Sequence, residues 1–281
     1  MDVSRVNSSF PQVLFTKIGT GMMTPLPYED EALSAGSFAE SDGCASSPRA
    51  AVRRVGAVHL FPEKLRVPEI EGILRRTRIT DLLTKSLGVF NGTMISGRAR
   101  TGKTVAAADL ASQYENVGWY TVESTDDEWR LFSRYFQAAV NGDQRSQPSA
   151  DSSEAAITTF LQNVLQNDGD GSTRLIVLDD IHHVFDAEWF SDFFRQLLFS
   201  VGPDTHLLFT CRSKPPLPLW RLRSKQLLNV IDEKVLAFDA SETAQFLRSS
   251  GYKNGLAKDA QRYSFGQIGK IVDYVGRSPA K

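Results

Sequence analysis

Residues 97–104, with the sequence GRARTGKT, have the residue types and the spacing of a phosphate-binding loop, G-x-x-x-x-G-K-[ST]. Glycines let the backbone curl until successive amides face a phosphate, and the N-terminus of the following helix adds positive potential. We predict that Lys103 neutralises the β- and γ-phosphates and aids catalysis, and that the Thr104 hydroxyl is a Mg²⁺ ligand. The residues predicted to contact the nucleotide are Gly97, Arg98, Ala99, Arg100, Thr101, Gly102, Lys103, Thr104 and Val105.

Two adjacent carboxylates after a second apolar run are the predicted partners of this loop. Residues 174–178, RLIVL, predict a buried parallel strand that leads into Asp179 and Asp180. Asp179 is predicted to hold Mg²⁺, directly or through water, and Asp180 to polarise the water that attacks the γ-phosphate. Related ATPases often have Glu at the latter position. Because Asp is one methylene shorter, a purely structural role for Asp180 stays open.

A basic residue after a third apolar run is the candidate sensor of the γ-phosphate. Residues 205–210, THLLFT, predict a buried strand, and Arg212 lies just beyond it. If this strand lies beside both phosphate motifs, Arg212 makes a charge-assisted contact that exists only with a triphosphate, and we count it among the catalytic residues. The alternative is a surface Arg paired with an acidic residue. The pair His182 and His183 does not predict a metal site, because no third ligand cluster is visible.

Strand and helix patterns alternate around these motifs, which predicts an α/β fold with a mostly parallel sheet. Further strands are predicted at 93–96, 118–122 and 230–238, and helices at 103–114, from Trp129, from a capping box at 151–154, and along 189–198. More helices are predicted from Asp239 and within 257–274. We therefore predict a flexible N-terminal arm at 1–55, a nucleotide-binding core at 56–238 and a helical lid fragment at 239–281.

Composition and charge exclude several classes of protein. With 41% hydrophobic and 23% charged residues among 281, the chain has enough apolar side chains for a core. The 32 basic and 33 acidic residues give no global basic field for nucleic acid. No run approaches the roughly 20 apolar residues of a membrane span, and the first residues lack the apolar core of a secretory signal. Two cysteines predict free thiols, so we expect a soluble, cytoplasmic protein with no membrane association.

Four stretches, in this order, resemble the nucleotide-binding domain of STAND signal-transduction NTPases, in the branch of MalT-like, LuxR-associated bacterial regulators. They are KLRVP at 64–68 with LRR at 74–76, the phosphate loop with GWY at 118–120, LDDIH at 178–182, and LLFTCR at 207–212 followed by PPLPL at 215–219, LR at 222–223 and LAF at 236–238. The resemblance covers roughly residues 58–250. The phosphate motifs occur in many ATPases, whereas GWY and the proline-rich segment are more particular.

The resemblance implies a P-loop NTPase three-layer sandwich with an extra strand between the two phosphate-motif strands, followed by a small helical lid. It also implies a slow ATPase switch that uses ATP/ADP and Mg²⁺: ADP holds a closed state, and ATP with an inducer permits an open, self-associating one. Relatives usually continue into a helical-repeat sensor and a DNA-binding helix-turn-helix, which we do not find before Lys281. The Pro of a base-contacting Gly-x-Pro is absent near residues 264–268.

Three functions are compatible with these observations. The first is an ATP/ADP-binding signal-transduction switch with weak ATPase activity, which regulates transcription through a protein effector, self-association or a missing effector region. The second is an AAA+-like DNA-associated ATPase, motivated by basic clusters at 53–54, 75–78 and 220–225; near-neutral charge disfavours it, so direct DNA binding is not expected. The third is a non-hydrolysing nucleotide-binding scaffold, because Asp180 replaces the usual Glu.

Overall fold

A parallel sheet forms the centre of the fold. The computed structural model describes residues 60–69, 74–142, 148–166, 173–252 and 254–277, all within one compact unit, residues 55–281. In these residues the strands are β1 (Gly92–Ser96), β2 (Asn116–Thr121), β3 (Arg174–Asp179), β4 (Thr205–Cys211) and β5 (Leu228–Asp232). Their order across the sheet is β2-β3-β4-β1-β5, and every neighbouring pair is parallel. The predicted arm at 1–55 lies outside the described residues.

Helices cover both faces of the sheet. They are α1 (Thr77–Leu87), α2 (Lys103–Ala111), α3 (Trp129–Asn141), α4 (Glu154–Val164), α5 (Phe190–Ser200), α6 (Leu219–Ser224), α7 (Ala240–Ser249), α8 (Ala257–Ser264) and α9 (Ile268–Arg277). Short 3-10 helices lie at Pro62–Leu65, Ile181–Val184 and Asn254–Leu256. None of the helices in the described ranges is long and apolar enough to cross a membrane.

Alternate residues of the central strands enter two separate cores, which makes the fold a three-layer sandwich. Ile176 and Leu178 of β3 pack with the aromatic side chains of α3 and α5. Leu175 and Val177, on the other face, pack with α1 and α2. All four side chains are fully buried, as expected for a strand covered by helices on both faces. The continuous apolar run at 174–178 therefore predicted its environment correctly.

Strand β4 lies between β1 and β3, as the family resemblance implied. It pairs with β1 on one side, where Ser96 lies opposite Cys211, and with β3 on the other. The chain therefore brings the ends of three strands together at one edge of the sheet. These ends carry the phosphate loop, the two carboxylates and Arg212. In parallel α/β sheets this carboxyl edge is where ligands bind.

Two local predictions were wrong. The strand predicted at 230–238 ends at Asp232, because the chain then turns: Val235 N–H donates to the carbonyl of Asp232 at 3.0 Å. Leu236 is buried in the core with only 2% of its surface exposed. Because an apolar residue at this position is also expected in a buried strand, the sequence pattern predicted a strand that is too long. The predicted capping box at 151–154 is also absent, since the hydroxyl of Ser153, not the Asp151 carboxylate, accepts from a helix amide.

The helical lid predicted after the sheet is present in outline. Helices α7, α8 and α9 pack around their own apolar cluster, which contains Phe238, Phe246, Leu247, Ala260, Ile271 and Val275. Helix α7 begins with a true capping box, in which Asp239 and Glu242 each accept the other's backbone N–H. The predicted domain limits at residues 55 and 238 stay predictions.

Candidate nucleotide-binding site

The phosphate loop connects β1 to α2 in a conformation that its glycines permit. Gly102 has φ 88°, in the left-handed region, and α2 begins at the next residue. Gly97 lies so close to Glu233 that a Cβ added to it would be 2.5 Å from the Glu233 Cβ. Arg100 also has a positive φ, 63°, which is uncommon for a residue with a side chain. The positive φ angles and the close approach of Glu233 therefore keep the loop in a tightly curved conformation.

Lys103 is buried inside this curl, with 5% of its surface exposed. Its Nζ donates to the carbonyl of Arg98 at 2.9 Å, so the ammonium spans the loop. Burial lowers the pKa of Lys103, while the carboxylates of Asp180 and Asp179 act in the opposite direction. A bound polyphosphate would stabilise the charged form of this buried ammonium and would accept hydrogen bonds from the loop amides.

Thr104 and Asp179 face each other across the site. The Thr104 hydroxyl lies 3.1 Å from both carboxylate oxygens of Asp179, and the Thr210 hydroxyl donates to Oδ1 of Asp179 at 2.6 Å. Burial raises the pKa of Asp179 to about 6 in spite of these hydrogen bonds. A hydroxyl beside a desolvated carboxylate fits the oxygen chemistry of Mg²⁺, which would offset the cost of the buried charge. The residues present thus fit the metal that the loop implies.

Asp180 and Arg212 form an ion pair, with Nη2 of Arg212 3.2 Å from Oδ2 of Asp180. Asp180 has φ 55°, and its backbone N–H donates to the Thr210 hydroxyl at 2.9 Å. The two residues predicted to act on the γ-phosphate and its attacking water are therefore adjacent, and each contacts the other. This arrangement also matches the alternative prediction, a surface Arg paired with an acid.

His182 lies next to Asp180, in the 3-10 helix that follows β3. Its Nδ1 is 3.7 Å from Oδ1 of Asp180, is buried, and has no hydrogen-bond partner among the described residues. Burial lowers the pKa of His182 to about 4, so the ring is neutral at pH 7. The ring centroids of His182 and His183 are 4.2 Å apart, and the two rings are tilted by 34° relative to each other. No group of three or more potential metal-binding His, Cys, Asp or Glu residues occurs within the described ranges.

The lid touches the phosphate loop directly. Gly269, near the start of α9, donates its N–H to the carbonyl of Arg100 at 3.2 Å. The Arg100 guanidinium forms two hydrogen bonds with Asp273 of α9, at 2.7 and 3.2 Å. Ile268 is the nearest side chain to Gly102, at 3.6 Å from the position of a Cβ. The first turns of α9 therefore lie on the loop that is predicted to bind phosphate.

Three residues of the site were missed by sequence reasoning, two that contact the loop and one that contacts the carboxylate of Asp179. Glu233 accepts from the backbone N–H of Arg98 at 2.7 Å and pairs with its guanidinium, and this contact lowers the pKa of Glu233. Asp273 and Thr210 were likewise not predicted to belong to the site. Sequence spacing gave no signal for Glu233 or Asp273, which lie 135 and 173 residues from their partners. A buried Thr at the end of a strand beside both phosphate motifs was the available signal for Thr210.

Comparison with known proteins finds relatives of the region that carries this candidate site. Residues 91–211 match the family model of an AAA domain. The chain is 26% identical over 213 residues to the HTH-type transcriptional regulator MalT of Vibrio campbellii, and 30% identical over 198 residues to that of Yersinia enterocolitica. The predicted resemblance to MalT-like STAND NTPases is confirmed. The aligned parts are 72% and 66% of this chain, but only 24% and 21% of the two regulators.

A solved structure supports the fold of this MalT-like chain. The STAND protein with a tetratricopeptide repeat sensor from Pyrococcus horikoshii aligns with 78% of this chain and 32% of its own, with a TM-score of 0.51 and 17% sequence identity. The chain therefore has a P-loop NTPase fold, and the part that aligns is related in sequence to MalT regulators. It spans about a quarter or less of the length of the curated relatives it matches.

Proposed function

We propose that this chain is a nucleotide-dependent switch that binds ATP or ADP with Mg²⁺ and hydrolyses ATP slowly. The observation that carries the proposal is the convergence of Lys103, Thr104 and Asp179 at the carboxyl edge of β1 and β3. These residues supply a cation for the phosphates, and a hydroxyl and a carboxylate for the metal. The backbone amides of a loop with this motif are expected to add hydrogen bonds to the phosphates.

The proposed chemistry assigns one role to each charged residue. Lys103 would neutralise the β- and γ-phosphates, and bound Mg²⁺ would balance further phosphate charge beside Thr104 and Asp179. Asp180 would accept the proton of the attacking water, and Arg212 would stabilise charge on the γ-phosphate. Because Asp180 and Arg212 pair with each other in this structure, both must reorient before turnover. This conformational step is our proposed reason for slow hydrolysis.

The regulatory part of the proposal rests on the contact between α9 and the loop. A ligand can shift a conformational equilibrium only if it contacts the two states differently. Since Arg100 lies in the loop and is held by Gly269 and Asp273 of α9, occupancy of the loop would be communicated to the lid. We propose that the lid in turn controls a protein effector or self-association in the cytoplasm, with transcription as the regulated process.

The first experiment identifies the nucleotide that co-purifies with the protein. Nucleotide released by heat denaturation would be measured by mass spectrometry for the parent and for Lys103→Ala. We expect ADP in the parent and none in the variant, because no other loop residue replaces the amine. Lys85→Ala, which changes an exposed lysine of α1, is the matched control and should retain ADP. Equal ADP in Lys103→Ala would refute the site assignment.

A non-hydrolysing scaffold is the second candidate function, favoured by the Asp180–Arg212 ion pair. In this case the protein binds ADP and ATP with similar affinity but releases no phosphate. A phosphate-release assay with bound ATP separates the two functions, because the switch releases phosphate slowly and the scaffold releases none. The DNA-associated alternative is tested separately by DNA binding at about 50 mM salt, where phosphate contacts are strongest.

A further inference from the structure

A groove of about 340 Å³ lies between the C-terminal part of α5 and helix α6. Its apolar lining comes from Phe199, Leu217 and Leu222, and its cationic lining from Arg195, Arg221 and Lys225. None of these residues belongs to the phosphate loop or to its predicted partners. The groove is therefore a separate feature of the surface.

The floor of the groove is part of the core, whereas its rim is exposed. Leu222 is 8% exposed and belongs to the main core cluster, against which Leu217 also packs. Phe199 is 55% exposed, and Trp220, the residue before Arg221, is 69% exposed. Two large aromatic side chains left in water beside an apolar depression are typical of a binding surface. A partner that covers these side chains would remove their apolar surface from water, which would favour binding.

The charged side chains that line the groove are all basic. Lys225 lies 5.8 Å from the Phe199 ring centroid, and Arg221 lies 5.1 Å from that of Trp220. Within the described residues, neither cation forms a salt bridge. In the part of the chain that the structure describes, Arg195 pairs with Asp192 of its own helix, at 3.5 Å, and this contact is exposed and weak. The groove thus presents three cations and the Phe199 ring, with exposed Trp220 next to Arg221 in the sequence, and no acidic residue among those the structure describes lines it.

We propose that this groove binds an acidic peptide segment of a partner protein, with one Leu or Phe side chain inserted against Phe199 and Leu222. Carboxylates on either side of that anchor would pair with Arg221, Lys225 and Arg195. An apolar anchor in a pocket surrounded by charge pairs is how a short segment achieves both affinity and selectivity. The groove volume suits a single large apolar side chain and its flanking backbone.

Nucleic acid fits this surface less well. Single-stranded nucleic acid needs open aromatic faces on which successive bases stack, with cations along the track of the backbone. Here a cation of the same chain already lies over each exposed ring, Arg221 over Trp220 and Lys225 over Phe199. The apolar floor at Leu222 offers nothing to a phosphate. Charge and shape both favour an acidic peptide with an apolar anchor.

The test measures the anisotropy of fluorescein-labelled twelve-residue peptides titrated with the full chain. Four probes are compared: Glu-rich with a central Phe-Leu, Glu-rich with a central Ser-Ser, Ser-rich with Phe-Leu, and Lys-rich with Phe-Leu. A labelled thymidine oligonucleotide of similar length is the fifth. We expect saturable binding of the first probe alone, at least ten times tighter than that of any other and weakened by salt.

Variants decide whether that binding occurs in the groove. The double variant Arg221→Glu with Lys225→Glu should bind the Glu-rich Phe-Leu peptide at least ten-fold more weakly than the parent does. The control, Lys85→Glu with Arg248→Glu, changes the net charge equally at exposed sites outside the groove and should leave affinity unchanged. Leu222 is left intact because it belongs to the core. Equal loss in both variants, preferential binding of the oligonucleotide, or no binding by the first probe would overturn the proposal.

Discussion

At the scale of the residue, the site consists of charges that are stable only together. Asp179 is buried, and its carboxylate is stabilised by two hydroxyl groups, those of Thr104 and Thr210. Lys103 is buried in the same region, and the carboxylates of Asp180 and Asp179 stabilise its charged form. Each group alone would be costly to ionise in this environment. Such perturbed pairs occur preferentially at functional sites, which strengthens the assignment of the loop.

Asp179 gives a prediction for the dependence of stability on pH in the absence of nucleotide and metal. Burial raises the pKa of Asp179 to about 6, above the ordinary value of 3.8. The protonated form therefore stabilises the fold below about pH 4, and this contribution is lost as the pH rises through about 6. Asp179→Asn mimics the protonated form, so it should raise the free energy of unfolding at pH 8 by up to about 3 kcal/mol.

Urea unfolding in EDTA, at pH 8 and at pH 4.5, measures this effect. The gain of Asp179→Asn over the parent should be largest at pH 8 and should shrink towards pH 4.5, where the parent is itself protonated. The same variant should bind Mg²⁺-nucleotide more weakly, since an amide is a poorer ligand of Mg²⁺ than a carboxylate. A variant that is less stable than the parent at pH 8 would show that the charged carboxylate is stabilising.

Asp180 gives a prediction for turnover. Asp180→Asn keeps the size of the side chain but cannot accept a proton from water, so phosphate release should fall by at least about 100-fold. Nucleotide affinity should be retained, because Lys103, Thr104 and Asp179 are unchanged. Phosphate release from bound ATP, together with equilibrium binding of a fluorescent ATP analogue, measures both quantities. Hydrolysis at the parent rate would remove Asp180 from the mechanism.

At the scale of the element, two of the ion pairs that join the lid to the core differ in burial and therefore in strength. Arg76, just before α1, donates to Glu242 of α7 at 2.8 Å and lies 4.1 Å from the Phe238 ring centroid, in a largely buried position. The Arg100–Asp273 pair of α9 is instead about half exposed. Breaking a buried pair is strongly unfavourable, whereas an exposed pair contributes little. We therefore expect α9, rather than α7, to move when the nucleotide changes.

Asp273→Ala tests this expectation through the release of ADP. Loss of the ion pair should weaken the hold of α9 on the loop, so a fluorescent ADP analogue should dissociate several times faster. The free energy of unfolding should change by less than about 1 kcal/mol, because the pair is exposed. Asp259→Ala, an exposed carboxylate of α8, is the matched control. Equal dissociation from all three proteins would show that the α9 contact does not restrain ADP.

The elements and the local motif could be predicted from the sequence, because both depend on short-range patterns. The run at 174–178 and the loop at 97–104 carry their own periodicity and spacing. The contacts that surround the loop could not be predicted in this way. Glu233, after β5, and Asp273, in α9, meet the loop only through the tertiary fold, and no periodic pattern relates them to it. The wrong strand at 230–238 has the same cause, since tertiary packing buries Leu236 in a turn.

At the scale of the whole molecule, a short stiff segment connects the nucleotide site to the groove. Arg212 pairs with Asp180, and α6 begins at Leu219. The segment between them contains Pro215, Pro216 and Pro218, each of which fixes its own φ. A backbone movement at Arg212 that accompanies reorientation of its side chain would be transmitted along this segment to α6, which carries Arg221 and Leu222 of the groove.

This connection predicts that the peptide and the nucleotide affect each other's binding. The affinity of the Glu-rich Phe-Leu probe should differ by at least about five-fold between the ADP complex and the complex with a non-hydrolysable ATP analogue. Reciprocity requires the probe to change the preference for the two nucleotides by the same factor. Arg212→Ala should abolish the difference and still bind the probe, because the groove is intact. Equal probe affinity in both complexes of the parent would mean that the groove and the phosphate site act independently.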